Sequence, residues 1–385
     1  MRIAPLLGLL ALLSVDGPLA RPPEGGGGVE AAHDEIPLMV AQKYALQVEQ
    51  AARQLAKRGI DPLRLAPKID GLDWPLRARG SFPDNDYWGV SNFVDLNPTI
   101  GVVQDYNCGT RSYDLSSGYN HAGIDYFLWP FSWRMMDAEQ IEVVAAAPGT
   151  ILYKSDGNDD RSCPNNYSDD WNAVYIQHGD GTVMWYGHLK TGSLTSAPVG
   201  SQVQTGAYLG LVGSSGFSTG PHLHMELRSS ASGGATIIEP HAGSCRAGLS
   251  NWAAQRPYRS TRINRVAAHD AVPSFNVSCP NPGQEPDTFA SSFEPGQQAY
   301  FAIYLRDQTN ALPATIRIRR PDGSDFQNFN TNLNGEFNAS YWYWSYILPA
   351  NAMVGTWSFE VTAAGETVST FFTVGASVFA DGFEG

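Results

Sequence analysis

Short runs in which apolar and polar residues alternate fill the middle of this chain, and turns containing glycine or proline separate them. Between about Leu72 and Ile263 the clearest runs are Val143–Ala147, Ala173–Gln177, Thr182–His188 and His222–Leu227. A period of two is typical of half-buried β-strands. No βαβ rhythm interrupts the runs, so we expect one compact antiparallel β domain, which we place at residues 72–265.

A second series of runs lies between about Ala271 and Val374. Its strands are predicted at Ala299–Leu305, Thr315–Arg319, Tyr341–Ile347, Trp357–Thr362 and Ser369–Val374. Turn signals recur roughly every 8–12 residues, a spacing typical of antiparallel sandwiches. We therefore predict an Ig-like β-sandwich at 271–376, followed by a tail at 377–385. The run Tyr341-Trp-Tyr-Trp-Ser-Tyr either exposes one aromatic face for binding or divides into a core face and an ordinary outer face.

Residues 21–71 differ from both series, because a Pro/Gly-rich linker is followed there by a helical pattern. Apolar residues recur at three- and four-residue steps, at Val40, Tyr44, Val48, Ala51 and Leu55. Gly59 and Pro62 end the pattern. The helix is either part of a prosegment that covers the active site or a permanent layer on the β domain. The predicted fold class is all-β with a short N-terminal helical segment.

The N-terminus has the pattern of an export signal. Arg2 precedes a near-continuous apolar run from Ile3 to Val15, which is too short to span a bilayer, and Ala20 is a plausible cleavage point. We interpret residues 1–20 as a signal peptide and expect a secreted, extracellular protein, with the periplasm as the alternative. No later segment has the roughly 18 apolar residues that a span requires, so no integral membrane association is expected. The oligomeric state is left open.

Charge and cysteine content narrow the possible classes of protein. The 385 residues carry a formal net charge of −13 without a Lys/Arg cluster, so binding to nucleic acid is not expected. Four scattered cysteines in an exported protein favour disulfides over a metal cluster. Of the possible pairings, sequence neighbourhood favours Cys108–Cys163 and Cys245–Cys279.

The most informative histidines are those of His222-Leu-His224. On a strand, alternate residues share one face, so the two imidazoles can converge on one reaction centre. One can bind a metal while the other reaches its bound water, and Glu226 on the same face can orient an imidazole. The alternative is a pair of surface histidines on an edge strand.

A second motif, His121-Ala-Gly-Ile-Asp125, completes a possible ligand set. Fully extended, its two polar side chains would lie roughly 13 Å apart, so the segment must bend to bring both to one metal. We expect Gly123 to permit that bend. A carboxylate and two histidines with an open fourth position form a hydrolytic zinc site. The alternative is an unrelated loop histidine and turn aspartate.

Rival catalytic motifs are weak. The sequence has no HExxH pattern and no Pro-Cys-x-x-Cys pattern. Gly216-Phe-Ser-Thr-Gly220 matches the serine-hydrolase pattern G-x-S-x-G, which requires a strand-to-helix turn. Here Pro221 and an alternating strand follow, so we predict an ordinary turn.

Three motifs in one order resemble those of the lysostaphin-type zinc metalloendopeptidases, which cut peptide bonds in peptidoglycan or in Gly-rich proteins. They are His121-x-Gly-x-Asp125, Tyr186-Gly-His188-Leu and Ser218-Thr-Gly-Pro-His-Leu-His-Met-Glu226. The resemblance runs from about Trp74 to Pro240 and says nothing about residues 271–385.

The resemblance implies one zinc ion per chain, bound by His121, Asp125 and His224. It implies that His188 and His222 are catalytic without being ligands. Since Met184, Tyr186 and His188 would share one face of a strand, we expect His188 to project toward the metal from a neighbouring strand.

The implied function is zinc-dependent hydrolysis of peptide bonds in peptidoglycan cross-bridges or stem peptides. One alternative is an endopeptidase for Gly-rich proteins. The other is a non-enzymatic protein that binds the cell wall or activates a separate hydrolase, but such proteins usually lack metal ligands that are present here.

Overall fold

The computed structural model describes residues 20–375, except 66–68, 165, 166, 168, 169, 276–278, 280, 282 and 287. The predicted signal peptide, apart from Ala20, and the predicted tail at 377–385 lie outside the described residues. Strands and loops dominate the fold, which confirms the all-β class. Among the residues described, no helix is long and apolar enough to cross a membrane.

The secondary structure follows the predicted periodicities. The helices are α1 (Leu38–Lys57), α2 (Pro62–Leu65) and α3 (Ser132–Asp137). The strands before residue 240 are β1 (Gly25–Gly28), β2 (Leu76–Ala78), β3 (Trp88–Asn92), β4 (Ile124–Leu128), β5 (Ile141–Val144), β6 (Gly149–Ser155), β7 (Ala173–Gln177), β8 (Val183–Gly187), β9 (Gln202–Val203), β10 (Tyr208–Leu211), β11 (His222–Arg228) and β12 (Ile237–Ile238). The later strands are β13 (Arg262–His269), β14 (Ser292–Phe293), β15 (Gln298–Gln308), β16 (Leu312–Arg319), β17 (Asp325–Leu333), β18 (Phe337–Ile347), β19 (Gly355–Ala363) and β20 (Glu366–Val374).

Strands β2–β12 form the first β unit. Its large sheet has the order β3-β4-β11-β8-β7-β6-β9, with β12 beside β11, and a smaller sheet has the order β10-β5-β2. An apolar core that includes Tyr126, Val143 and Met225 contains side chains from both sheets. The neighbours β4, β11 and β8 pair antiparallel at the centre of the large sheet, so alternate residues of all three strands point to the same face.

Helix α1 covers the opposite face of the large sheet. Tyr44, Val48 and Leu55 are buried against β-strand residues, as the three- and four-residue spacing predicts. Tyr44 stacks on Trp171 with 4.6 Å between ring centroids. Trp171 in turn contacts the rings of His188 and His224, so the helix lies close to these histidines. This packing is compatible with both predicted roles, a prosegment that covers the active site and a permanent layer on the β domain.

Strands β13–β20 form the second β unit. They lie in two sheets, ordered β1-β18-β15-β13 and β14-β20-β19-β16-β17, and a shared apolar core lies between them. Strand β17 was not predicted. Strand β13 crosses the boundary that the sequence indicates near residue 265, and it pairs along its length with β15 of the second unit. The Ig-like topology stays a prediction.

The aromatic run on β18 has no free face. Trp344 is buried in the core of the second unit, and Trp342 and Tyr346 pack against that core. On the other face, Tyr341 and Tyr343 pack in a cluster that includes Val29, Ala31, Ala32 and Phe275. The interpretation that this run exposes an aromatic surface is therefore wrong, because the N-terminal segment and aromatic residues of the first unit cover that face.

The predicted disulfide pairing is wrong. The structure has Cys108–Cys245 and Cys163–Cys279, with sequence separations of 137 and 116 residues. The backbone N–H of Cys245 donates to the carbonyl of Tyr106, which brings the end of the first unit beside the loop that carries Cys108. Sequence neighbourhood failed because β topology brings together segments that are distant along the chain.

Candidate metal centre

The residues at the centre of the candidate site lie on two paired strands, β4 and β11. In the register of β4 and β11, Asp125 lies opposite His224, and His222 lies opposite Phe127. His224 and Glu226 pair in turn with Gly187 and Trp185 of β8. Antiparallel partners share a face, so Asp125, His222, His224 and Glu226 all point away from the core that contains Tyr126 and Met225.

His121 reaches the same face from the loop before β4. Its Nε2 lies 3.1 Å from Asp125 Oδ2, and His224 Nδ1 lies 3.0 Å from Asp125 Oδ1. All three side chains are fully buried. The structure therefore brings together the three predicted ligands.

Gly123 has a different role from the one we predicted. It does not adopt a positive φ, so its conformation is open to other residues. A β-carbon at this position would lie 2.6 Å from His224 Nε2. Glycine is needed here because the His224 imidazole occupies the space of a side chain.

Partners outside the cluster fix the orientation of two imidazoles. His121 Nδ1 donates to the carbonyl of Phe93 at 2.7 Å, which leaves Nε2 as the atom facing the cluster. His224 turns Nδ1 to the cluster, and its Nε2 lies 3.3 Å from Glu226 Oε2. Glu226 also accepts a hydrogen bond from Arg228 Nε. These contacts match the carboxylate or carbonyl partners that usually orient metal-binding histidines.

A fourth group in the cluster was not predicted. Asp34, from the segment before α1, is fully buried, and its carboxylate oxygens lie 3.4 Å from His121 Nε2 and from His224 Nδ1. Tyr113 Oη donates to Asp34 Oδ1. Asp34 lies between the Pro/Gly-rich linker and the helix, where no periodicity or motif marks a site residue.

The four side chains suit a zinc ion. One ligand atom from each of Asp34, His121, Asp125 and His224 lies within 4.8 Å of the others. Ligand atoms bonded tetrahedrally to one zinc lie about 3.4 Å apart, which is close to the separations observed.

Buried polar atoms that lack a hydrogen-bond partner also favour the binding of a cation here. His121 Nε2 and Asp125 Oδ2 are buried without a hydrogen-bond partner in the described part of the chain. Burial, reinforced by the charge of Asp125, raises the pKa of Asp34 to about 6. A bound cation would offset the cost of burying two adjacent carboxylates.

The two predicted catalytic histidines stand beside this cluster. Their ring centroids are 4.4 Å apart. His188 Nδ1 donates to the carbonyl of Ser215 at 2.6 Å, and His222 Nδ1 donates to that of Gly220 at 2.8 Å. Both Nε2 atoms are buried, and neither has a hydrogen-bond partner among the residues described. Each ring therefore has a free lone pair at Nε2.

Burial favours the neutral form of both rings. It lowers the pKa of His188 well below its usual range, and it lowers the pKa of His222 to about 4 despite the nearby charge of Asp125. A neutral imidazole with a free Nε2 can accept a proton, and the resulting imidazolium can stabilise a developing oxyanion.

His188 reaches the site by a route that simple alternation did not predict. Met184 and Tyr186 point into the core on the opposite face of the sheet. Strand β8 ends at Gly187, and His188 takes a φ of 61°. This left-handed conformation breaks the alternation and turns the ring toward His222, so the prediction that the three residues share a face is wrong.

Two other sequence features lie outside the chemistry. His178 Nδ1 donates to the carbonyl of Pro148 at 2.8 Å, away from the metal centre. Gly216–Gly220 is a turn that leads into β11, and Ser218 Oγ contacts Ser214 Oγ and His222 Nδ1. No helix follows this serine, so the turn is not a nucleophile elbow.

Residues 120–236 match the family model of peptidase family M23. This range contains His121, Asp125, His188, His222 and His224, but not Asp34. This stretch of the chain is therefore similar to peptidase family M23. The DD-carboxypeptidase/endopeptidase Mpg of Neisseria meningitidis serogroup B is 35% identical to it over 108 residues, which are 28% of this chain and 20% of that protein. The Mpg protein of Neisseria gonorrhoeae matches with the same figures. The chain thus spans about a fifth of the length of these curated relatives.

Solved structures of M23 peptidases are also similar to parts of the chain. The catalytic domain of lysostaphin from Staphylococcus simulans is 27% identical, covers 35% of this chain and 84% of its own, and gives a TM-score of 0.25. The catalytic domain of the prophage-encoded M23 protein EnpA from Enterococcus faecalis is 21% identical, covers 42% of this chain and 93% of its own, and gives a TM-score of 0.26.

Proposed function

We propose that this protein is a secreted zinc-dependent endopeptidase whose metal ligands are His121, Asp125 and His224. The observation that carries the proposal is the buried contact of these three groups beside two neutral imidazoles that have free Nε2 atoms. A hydrolytic zinc site combines such a ligand set with nearby groups that move protons.

The side chains have separate tasks in this proposal. A bound zinc ion supplies Lewis acidity at the site. His121, Asp125 and His224 hold it, while Phe93 and Glu226 keep the two imidazoles in the binding orientation. His188 and His222 accept and return protons at Nε2, and their protonated forms stabilise negative charge that develops on the substrate carbonyl oxygen.

We propose peptide bonds of bacterial peptidoglycan as the substrate, in cross-bridges or stem peptides. The support is the sequence similarity to a DD-carboxypeptidase/endopeptidase. An endopeptidase for Gly-rich proteins is the alternative. A non-enzymatic role in wall binding or hydrolase activation is less favoured, because all five proposed site residues are present and buried together.

We also propose a domain organisation for the chain and a location outside the cytoplasm. Residues 1–20 serve as a signal peptide, the metallopeptidase domain occupies 72–265, and an accessory β-sandwich occupies 271–376. Two disulfides suit an oxidising compartment outside the cytoplasm.

The decisive experiment uses purified mature protein loaded with zinc, both as the wild type and with Asp34→Ala. Each is incubated with peptidoglycan, and the released fragments are identified by mass spectrometry. We expect Asp34→Ala to release fragments with new amino and carboxyl termini at a defined peptide bond, and none after chelation. Parallel incubation with a Gly-rich protein distinguishes the alternative substrate. Release of glycan fragments without peptide cleavage would contradict the proposal.

A further inference from the structure

The segment that carries Asp34 is held at both ends. We call residues 21–36 the strap. Its first half pairs with β18 of the second unit, and its second half crosses the metal centre of the first unit. Unlike a linker, the strap makes specific contacts along most of its length.

At the metal centre the strap lies as an added strand. The N–H of Glu35 donates to the carbonyl of Phe217 at 2.8 Å, and the N–H of Thr219 donates to the carbonyl of His33 at 2.9 Å. These bonds flank an antiparallel bridge between Asp34 and Ser218. An extended peptide substrate could use the same backbone groups of residues 217–219, since strand addition is a common mode of peptide recognition.

Side chains of the first unit also hold the strap just before Asp34. Thr219 Oγ1 accepts from the N–H of His33 at 2.9 Å and donates to its carbonyl at 3.0 Å. Ser91 Oγ donates to the carbonyl of Ala32 at 2.8 Å. The Asp34 carboxylate therefore enters the cluster from a backbone that is fixed on both sides.

The other end is fitted to the edge of the second unit. Gly25–Gly28 pair with Ser340–Tyr343 of β18. A β-carbon on Gly26 would lie 2.2 Å from the carbonyl oxygen of Tyr341, so the approach requires glycine. Glu24 Oε2 accepts from the N–H of Ser345 at 3.0 Å, and Trp344 Nε1 donates to the carbonyl of Pro22 at 3.1 Å.

We propose that the strap is an inhibitory segment that supplies Asp34 as a fourth ligand and covers the backbone groups of residues 217–219, while the β18 edge of the second unit anchors it. The strap keeps the enzyme latent. Activity requires that it be cut or displaced, which frees the fourth ligand position and the backbone groups of residues 217–219. This inference rests on the proposed zinc peptidase function. It also gives the second unit a regulatory role.

The first test removes the fourth ligand. Asp34→Ala in the full-length mature chain is compared with the wild type and with Glu30→Ala, which removes an exposed carboxylate from the same strap. The measurements are zinc retention against a competing chelator and the visible spectrum of the Co²⁺-substituted protein with and without azide.

We expect Asp34→Ala to retain zinc at least about 10-fold less tightly, since losing even an outer partner of a ligand can cost that much. Azide should change the Co²⁺ spectrum of Asp34→Ala but not that of the wild type or Glu30→Ala, because only the first has an open position. Peptidoglycan hydrolysis should rise in Asp34→Ala alone.

The second test releases the distant anchor and leaves all metal-centre residues intact. Gly26→Val places a side chain against the Tyr341 carbonyl. We expect it to make the strap more sensitive to limited proteolysis and to raise peptidoglycan hydrolysis, with one zinc ion still bound per chain.

The outcomes separate the two proposals. If the wild type binds one zinc but matches Asp34→Ala in zinc retention, azide response and hydrolysis, the strap inference is wrong and the peptidase proposal stands. If Gly26→Val exposes the strap without raising hydrolysis, the role of the β18 anchor is wrong. If none of the variants binds zinc, the proposed function fails and the strap inference fails with it.

Discussion

The two faces of the sheet formed by β4, β11 and β8 are equally buried and chemically opposite. On one face Ile124, Tyr126, Leu223 and Met225 join an apolar core, and on the other Asp125, His222 and His224 form a polar cluster. Each of these side chains is at most 1% exposed. Burial by itself therefore does not identify the site.

The two faces differ in whether their buried atoms need hydrogen-bond or charge partners. Apolar side chains gain from leaving water, whereas a buried charge or imidazole needs a partner. On the polar face, backbone carbonyls and Glu226 satisfy the outer nitrogens, but several inner atoms have no partner in the described ranges. Such an arrangement is stable when a cation completes it, so substitutions on the two faces should have different consequences.

The largest effect is expected from removing a ligand on the polar face. In the Asp34→Ala background, where three proposed ligands remain, His121→Ala and Asp125→Ala should each lose most of the bound zinc and all measurable hydrolysis, because two protein ligands cannot maintain the site. Metal analysis should find about one zinc per wild-type chain and far less in either variant. Full zinc content with full activity in either variant would refute the ligand assignment.

A smaller effect is expected from His188→Ala, which removes a proton-transfer group and leaves the ligands in place. Turnover should fall by about 10²–10³, a typical cost of losing a group that stabilises an oxyanion, while zinc content stays near that of the parent. Assays in both the wild-type and Asp34→Ala backgrounds avoid interference from the strap. His178→Ala is the matched control, since it removes a buried histidine outside the cluster. Loss of zinc in step with activity would make His188 a ligand instead.

A third prediction concerns the partner of His224. Glu226→Ala should weaken zinc binding by about 10–100-fold, because the imidazole loses the carboxylate that orients it and raises its basicity. Glu226→Gln should weaken zinc binding less, since the amide oxygen can still accept from His224 Nε2. Chelator competition measures both variants. Equal zinc affinity in the wild type and Glu226→Ala would show that the contact is not needed.

The smallest effect on the site is expected from the apolar face. Leu223→Ala, between the two histidines, should lower the free energy of unfolding by about 2–5 kcal/mol through the cavity it leaves. Zinc content and turnover per folded molecule should stay close to those of the parent. Denaturant unfolding and metal analysis test both parts. A loss of zinc in the folded variant would show that the two faces are coupled.

Sequence patterns predicted the polar face better than its surroundings. Strand alternation predicts that His222 and His224 share a face, and the resemblance of the short motifs implies which residues we propose as ligands. The motif also places His188 beside this cluster, but alternation places it on the wrong face, because a single positive φ at that residue is not visible in the pattern. Gly123 was picked out for its backbone, whereas its missing side chain is what matters.

Long-range contacts escaped prediction. Asp34 lies 87 residues before His121 along the chain, in a segment without periodicity, so only the folded chain reveals their proximity. The same limit explains the disulfide error, since each bridge joins segments that β topology brings together. The predicted domain boundary near residue 265 is a comparable case, because it falls inside strand β13. Asn264, next to that boundary, donates to the carbonyls of Trp88 and Trp129.

The short stretch between Gly28 and Asp34 sets a limit on how far the two β units can move apart. Six residues of fully extended chain reach about 20 Å at most. A hinge motion that moves the two attachment points further apart than this must unzip the glycine pairing or pull the carboxylate from the metal centre. A force that pulls the second unit away from the first would therefore act on Asp34, the proposed fourth ligand.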